Sequence, residues 1–310
     1  MRIFKDVCAN SRLHLYIMQL VLSIAEFYIL PHFTYYCMPE YNFEHKTVLV
    51  TGGARGLGRS HAIEFAKAGA DIAIIDLPEQ KDVEYKTGTA SEAEEVVSEI
   101  RGIGQRAVAF GADVSFEEQV ESAVDKITNE FDEINILINN AGAFPVSDLL
   151  EMDEDTWDVV LDTNLKGSWL CAKHIGNHMI KEGIEGEIVN TASFAGKKGI
   201  PIGLGHYVAS KHGLLGLTKS LALELAEYNI NVNAVCPGAT ESQGITEIAK
   251  TYGEEPTKKT LELGGPYNVL NEGELLTAKE ISDAVMWLTS DSTPHVTGED
   301  LAVDAGFTAR

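Results

Sequence analysis

Basic residues are scarce in this sequence: 24 Lys and Arg stand against 47 Asp and Glu, a formal net charge of −23 at pH 7. So acidic a surface repels phosphate backbones, which argues against nucleic acid as a partner. The same excess reads either as a strongly solvated surface or as adaptation to a salty cytoplasm, where salt screens the repulsion. Cysteine is scarce as well. The four present, Cys8, Cys37, Cys171 and Cys236, are widely spaced and form no C-x-x-C pair. Neither a disulfide framework nor a zinc site is indicated, no metal is expected, and a reducing, cytoplasmic location fits. Internal repeats and low-complexity tracts are lacking too.

Long apolar runs are confined to one place, Leu13 to Leu30, and even there His14, Gln19, Ser23 and Glu26 interrupt them. A bilayer core asks for about 20 apolar residues, and a Glu near its centre costs about 2–3 kcal/mol. Pro31-His32-Phe33-Thr34-Tyr35-Tyr36 follows, without the small-residue cleavage site of a signal peptide. Three readings of residues 1–40 stand: an extension preceding a true start at Met38, an apolar packing helix, or a membrane anchor, and only the last would bring membrane contact.

The remaining 41–310 is expected to form a single α/β domain, with 45% of the 310 residues hydrophobic and enough apolar material for a sizeable core. Short apolar runs alternate with helical patterns, the signature of β-α-β units and a parallel sheet covered on both faces. Strands are expected at Thr47–Thr51, Asp71–Asp76, Arg106–Gly111, Ile134–Asn139, Gly186–Thr191, Asn231–Cys236 and Leu301–Val303. Helices are expected at Arg59–Ala68, Ala90–Ile103, Phe116–Glu130, Thr156–Glu182, Tyr207–Ala226 and Ala278–Leu288. The fold class is thus a Rossmann-type, doubly wound parallel sheet of about seven strands, in which ligands bind outside the carboxyl ends of the strands. Residues 77–89 read as a polar surface insertion. The segment 241–277, without clean periodicity, reads as a substrate loop.

After the first strand comes Thr51-Gly52-Gly53-Ala54-Arg55-Gly56-Leu57-Gly58. Gly52, Gly56 and Gly58 allow a tight turn and bring backbone N–H groups, with those of Arg55 and Leu57, against a pyrophosphate at a helix N-terminus. Such a loop alone is a weak signal, but the strand before it, the helix after it and an acidic residue downstream strengthen it. That residue is Asp76. Its carboxylate can accept hydrogen bonds from ribose hydroxyls and would repel a 2′-phosphate, so NAD is favoured over NADP, although Arg55 could meet such a phosphate. Asp113-Val114 could face an adenine, or Asp113 could cap the following helix. Asn140-Ala141-Gly142 permits close backbone approach to a cofactor, and Asn side chains there can tie strand ends together.

Tyr207 and Lys211 stand four apart at the start of a helical pattern, so phenol and ammonium share one face. A nearby cation favours phenolate, which matters because a free Tyr titrates near ~10. With ten tyrosines in the chain, that pair could arise by chance, and its context decides. Ser193, at the end of the fifth strand, could hydrogen-bond a carbonyl or carbinol oxygen, or merely satisfy loop backbone. Asn164 lies in a helical pattern where it either bends the helix and holds a water near Lys211 or is simply tolerated.

Taken in order, the Gly-rich loop, Asn139-Asn140-Ala141-Gly142, Asn164, Ser193, Tyr207-x-x-x-Lys211, Pro237-Gly238 and Val296-Thr297-Gly298 resemble the short-chain dehydrogenase/reductase family, over about Asn42 to Thr308. The resemblance implies that Asn164, Ser193, Tyr207 and Lys211 are a catalytic tetrad. It also implies that Lys211 binds the nicotinamide ribose, that Thr240 lies near the carboxamide, and that Tyr207, Pro237 and Gly238 belong to the cofactor site. Gly58-Arg59-Ser60-His61-Ala62, the long loop after Asp76, His206-Tyr207 and Val303-Asp304-Ala305-Gly306-Phe307-Thr308 are similar to the carveol-dehydrogenase-like, mycofactocin-associated branch, whose members are thought to hold NAD tightly. Family members are commonly tetramers, so a homo-oligomer is expected. Thr191-Ala192-Ser193 departs from the pattern, in which a Ser often precedes the catalytic one.

The expected function is therefore reversible hydride transfer between a secondary alcohol, or its ketone, and NAD. Two alternatives stand beside it: an NADP-dependent reductase of the 3-oxoacyl-acyl-carrier-protein kind, and a non-catalytic nucleotide-binding regulatory protein that kept the fold.

Overall fold

Thr-Val-Leu-Val-Thr at 47–51 and Asp-Ile-Ala-Ile-Ile-Asp at 71–76 are rich in β-branched residues and apolar on consecutive positions, so they suit only a sheet covered on both faces. The computed structural model places them at its middle. It describes residues 41–80, 87–200, 203–241, 269–270 and 275–309. Residues 1–40, most of the segment 241–277 and part of the loop 77–89 therefore lie outside the described residues. Asn42–Arg310 forms one compact unit, and Met1–Tyr41 another of which Tyr41 alone is described.

The strands are β1 (Thr47–Thr51), β2 (Asp71–Asp76), β3 (Ala107–Gly111), β4 (Ile136–Asn139), β5 (Glu187–Thr191), β6 (Asn231–Pro237) and β7 (Asp300–Val303). They form one parallel sheet in the order β3-β2-β1-β4-β5-β6-β7. Val48 pairs with Ile72 on one side and Ile136 on the other, so the strand order reverses at β1 and β4, and a crevice opens at their carboxyl ends. Among the described residues the helices are α1 (Gly56–Lys67), α2 (Ala90–Ile103), α3 (Glu117–Glu130), α4 (Glu154–Leu161), α5 (Gly167–Glu182), α6 (Gly205–Leu225) and α7 (Ala278–Leu288). On one face, Val120, Ile127, Leu170, Ile175 and Met179 of α3 and α5 bury Leu49, Leu137 and Ile188 of the sheet. Helix α1 packs against α2 and α7. Among the described residues no helix is long and apolar enough to cross a membrane.

Most elements shift from their sequence-based bounds by a residue or two, and for three of the shifts the local reason is plain. Helix α1 begins at Gly56 rather than Arg59, because the glycine loop itself forms the first helical turn behind the extended Arg55. Strand β4 begins at Ile136 rather than Ile134. Asn135 there turns its side-chain oxygen to the Thr47 N–H, 2.8 Å away. The expected helix Thr156–Glu182 starts earlier, at Glu154, where the Asp153 carboxylate accepts the Thr156 N–H at 2.7 Å. It also carries a π-turn at Asp162–Lys166, between α4 and α5, with Asn164 at its centre.

Candidate active site

The carboxyl end of β1 turns at Gly52, whose φ of +67° suits glycine, and enters α1 four residues later. Gly58 leaves no alternative: a Cβ there would fall 2.1 Å from the Gly52 carbonyl oxygen and 2.5 Å from Asn140 Nδ2. The first N–H groups of α1 have no partner within the helix and point out of its positive end, as an anionic pyrophosphate requires. Asn140 fastens this turn: its Nδ2 donates to the Thr51 and Gly52 carbonyls at 3.0 and 3.1 Å. Thr51 Oγ1 in turn accepts the Asn140 and Ala141 N–H groups. The side chain of Asn140 thus shapes the cradle. One strand further, Asn139 Nδ2 donates to Asn190 Oδ1 at 2.9 Å and ties β4 to β5.

Asp76 ends β2 with its carboxylate buried, accepting the Ala54 N–H at 2.8 Å and the Leu77 N–H at 2.9 Å. Burial raises its pKa above the usual carboxylate value, against the pull of those two hydrogen bonds. Thr87 and Gly88, at the end of the insertion after β2, lie close to it. A Cβ at Gly88 would meet both Asp76 oxygens at 2.7 Å, and Arg55 Nη1 donates to the Thr87 carbonyl at 3.2 Å. A buried acceptor beside a glycine cradle fits the adenosine end of NAD, and these residues therefore fit the cofactor.

Asp113 is engaged locally, its Oδ1 accepting the Ser115 N–H and hydroxyl at 3.1 and 2.7 Å. It is not the cap of α3, since Phe116 holds that position. Val114 packs against the π-turn, where a Cβ on Gly167 would come within 2.8 Å of it. Beyond β6, the Gly238 N–H donates to Val303 at 2.8 Å, and Thr240 is buried and bridges to Leu276.

The four residues expected to do chemistry converge beyond β5. Ser193 caps a 3₁₀ turn, accepting the Ala195 N–H at 3.1 Å, and its hydroxyl acts on the Tyr207 phenol. Burial, the larger effect, holds the phenol pKa above its usual value, although the Ser193 hydroxyl draws it down. Lys211 is buried, its Nζ lying 5.5 Å from the Tyr207 ring centre and donating to the Thr191 carbonyl at 2.7 Å. Burial brings its pKa down to about 8. Asn164 is fully buried: its Oδ1 accepts the Ala143 N–H at 2.7 Å, and its Nδ2 donates to the Ala143 carbonyl at 3.0 Å and to Ser210 Oγ at 3.1 Å. Its amide is thus committed to the loop after β4 and to α6.

Two partners here carry no sequence signal of their own. The Thr191 carbonyl is a backbone group, indistinguishable from any other in a sequence. Ser210 lies inside the Tyr-x-x-x-Lys segment and joins Asn164 to the first turn of α6, donating to the Tyr207 carbonyl at 2.8 Å. Cys236 also acts on the cluster. Buried on β6, its thiol is pushed up to about 11, chiefly by burial.

A glycine cradle with a buried acidic acceptor at one end of the crevice, and a Tyr-Lys-Ser-Asn group at the carboxyl end of β5, define a dinucleotide-dependent oxidoreductase. The chain belongs to the short-chain dehydrogenase/reductase family: residues 52–308 match the family model described as enoyl-(acyl carrier protein) reductase. It is 34% identical to (−)-trans-carveol dehydrogenase of Rhodococcus erythropolis, over 86% of this chain and 99% of that protein. Among solved structures it resembles carveol dehydrogenase from Mycobacterium avium in complex with NAD, with a TM-score of 0.79 and 31% identity, covering 87% of this chain and all of that one. A short chain dehydrogenase from Mycobacterium paratuberculosis bound to NAD gives the same TM-score at 28% identity, again over 87% of this chain and all of that one.

Proposed function

We propose that this protein is an NAD-dependent dehydrogenase that interconverts a small secondary alcohol and its ketone, with Tyr207, Lys211, Ser193 and Asn164 as its working residues. The observation that carries the assignment is the convergence beyond β5 of the Ser193 turn with Tyr207 and the buried Lys211 ammonium, whose Nζ lies 5.5 Å from the Tyr207 ring centre and donates to the Thr191 carbonyl. When bound, NAD supplies the acceptor for the hydride that leaves the carbinol carbon. The glycine loop around Gly52, Arg55, Gly56, Leu57 and Gly58 would hold its pyrophosphate and Asp76 its adenosine ribose.

Ser193 orients the substrate oxygen by hydrogen bonding, and Tyr207 Oη exchanges the proton of that oxygen. With its pKa raised by burial, the phenol carries its proton at neutral pH, the form a ketone oxygen needs. The Lys211 charge, 5.5 Å from the ring centre, favours phenolate in the opposite direction. Asn164 acts on them indirectly, by fixing the turn of α6 through Ser210.

Carveol, the substrate named for the relatives, is a cyclic secondary alcohol and the first compound to assay. The protein purified without added nucleotide is expected to carry NAD and to oxidise carveol with an artificial electron acceptor. Tyr207→Phe is expected to lower turnover by about 10²–10⁴ with NAD content unchanged. Near-normal turnover in that variant would sink the mechanism.

The active form is a homo-oligomer in this reading. Trp157, Trp169 and Leu223 on α4, α5 and α6 remain exposed and apolar, as a subunit interface requires. The cytoplasm is the assigned location, in keeping with the free thiols of Cys171 and Cys236.

A further inference from the structure

Beyond β7 the chain bends through two consecutive residues with positive φ, Ala305 at +49° and Gly306 at +83°. Asp304, buried at the bend, holds it shut: its carboxylate accepts the Gly306 N–H at 3.0 Å, the Thr308 N–H at 2.9 Å and the Thr308 hydroxyl. The hook so formed satisfies much of its own polarity and presents two other groups outward, the Phe307 ring and the Ala305 carbonyl.

The Phe307 ring meets Phe194 edge-on, with ring centres 4.9 Å apart and planes at 75°. Phe194 directly follows Ser193 and opens the turn that Ser193 caps. On the same ring sits Lys198, its Nζ 5.4 Å from the ring centre and donating to the Phe307 carbonyl at 3.2 Å. The turn bearing Ser193 is therefore clasped at Phe194 and at Lys198. On its other side the hook offers the Ala305 carbonyl, which accepts the N–H groups of Val269 and Leu270 at 2.9 and 3.0 Å. A short, internally braced piece of chain thus touches both the Ser193 turn and Val269–Leu270 of the 241–277 segment.

We propose that Phe307, held by the Asp304–Thr308 hook, is a positioning residue for Ser193, and that the hook couples the placement of Ser193 to that of Val269–Leu270. This rests on the reading of Ser193 as the group that orients the substrate oxygen. A hydrogen bond to a reacting oxygen tolerates little displacement, so a Ser193 turn freed on one side loses rate, while the glycine loop and Asp76, on other strands, keep the nucleotide.

The test compares Phe307→Ala, Phe307→Leu and Lys198→Ala with the parent chain. Two readouts are used: hydrogen exchange of backbone amides, and turnover of carveol with an artificial electron acceptor. In Phe307→Ala the amides of 193–198 and 269–270 are expected to exchange faster together, with those of 51–58 unchanged. Its kcat/KM for carveol is expected to fall about tenfold at unchanged NAD content. Phe307→Leu restores most of both, and Lys198→Ala, a milder change outside the core, moves both in the same direction. Unchanged exchange at 193–198 in Phe307→Ala and Lys198→Ala, or faster exchange spread uniformly over the whole chain, overturns the proposal. Ser193→Ala separates the two readings: full turnover there removes the role of Ser193 and the purpose of the hook with it. Lost turnover there, with parental kinetics in the Phe307 and Lys198 variants, overturns the hook alone.

Discussion

Asp76 does two things with one carboxylate, fixing the Ala54 and Leu77 N–H groups and offering an anionic acceptor at the end of β2. Asp76→Ala removes the charge that opposes a 2′-phosphate and leaves Arg55, whose field already acts on Asp76, as a cation nearby. The ratio of kcat/KM for NAD over NADP is expected to fall about ten- to a hundredfold, the worth of one charged hydrogen bond, measured by steady-state kinetics with each nucleotide. Glu187, at the other end of β5, tests burial instead. Its pKa is pushed up to about 7, chiefly by burial, although Asn231 Nδ2 donates to it at 3.1 Å. A raised carboxylate pKa means that the folded state keeps a proton the unfolded chain has released. That contribution to stability is complete below the unfolded value of 4.5 and is lost as pH rises to about 7. Glu187→Gln is neutral throughout, so its Tm should match the parent near pH 4 and exceed it at pH 8, by the equivalent of about 2 kcal/mol.

At the scale of elements, the π-turn at Asp162–Lys166 is the feature that brings α4 and α5 to the site. Widening the helix by one residue releases a backbone carbonyl, and the Ser168 hydroxyl takes that of Asn164 at 2.9 Å. The Asn164 amide then closes on Ala143 from both sides. Asn164→Ala leaves a buried N–H and C=O without these partners, and urea unfolding should show a loss of about 2–4 kcal/mol with turnover falling as well. None of this is legible in the periodicity of 156–182, which fits one regular helix. What selects the π-turn is a contact with a loop 21 residues earlier in the chain. Helix α2 shows the opposite case. Thr89 accepts the Glu92 N–H, and Gly104 ends the helix at φ +107°, both in place in the sequence, so the expected bounds Ala90–Ile103 match the structure.

For the whole molecule, a formal charge of −23 makes folding work against self-repulsion that salt screens over about 10 Å at 0.1 M. Tm is expected to rise by about 5 °C between 10 mM and 1 M NaCl, followed by calorimetry; a fall would remove self-repulsion as a major term. The order of strands and helices, the glycine loop with Asp76 and the relation of Tyr207 to Lys211 were set by the sequence alone. These rest on interactions between near neighbours in the chain and on hydrophobic period, which any local stretch carries with it. Only the tertiary structure decided that Lys211 bonds the Thr191 carbonyl, that Asn140 braces the glycine turn, that Asn164 sits in a π-turn and that Phe307 rests on Phe194. Each of those joins groups from separate elements. The backbone carbonyls and aromatic faces involved look alike in every sequence until packing selects among them.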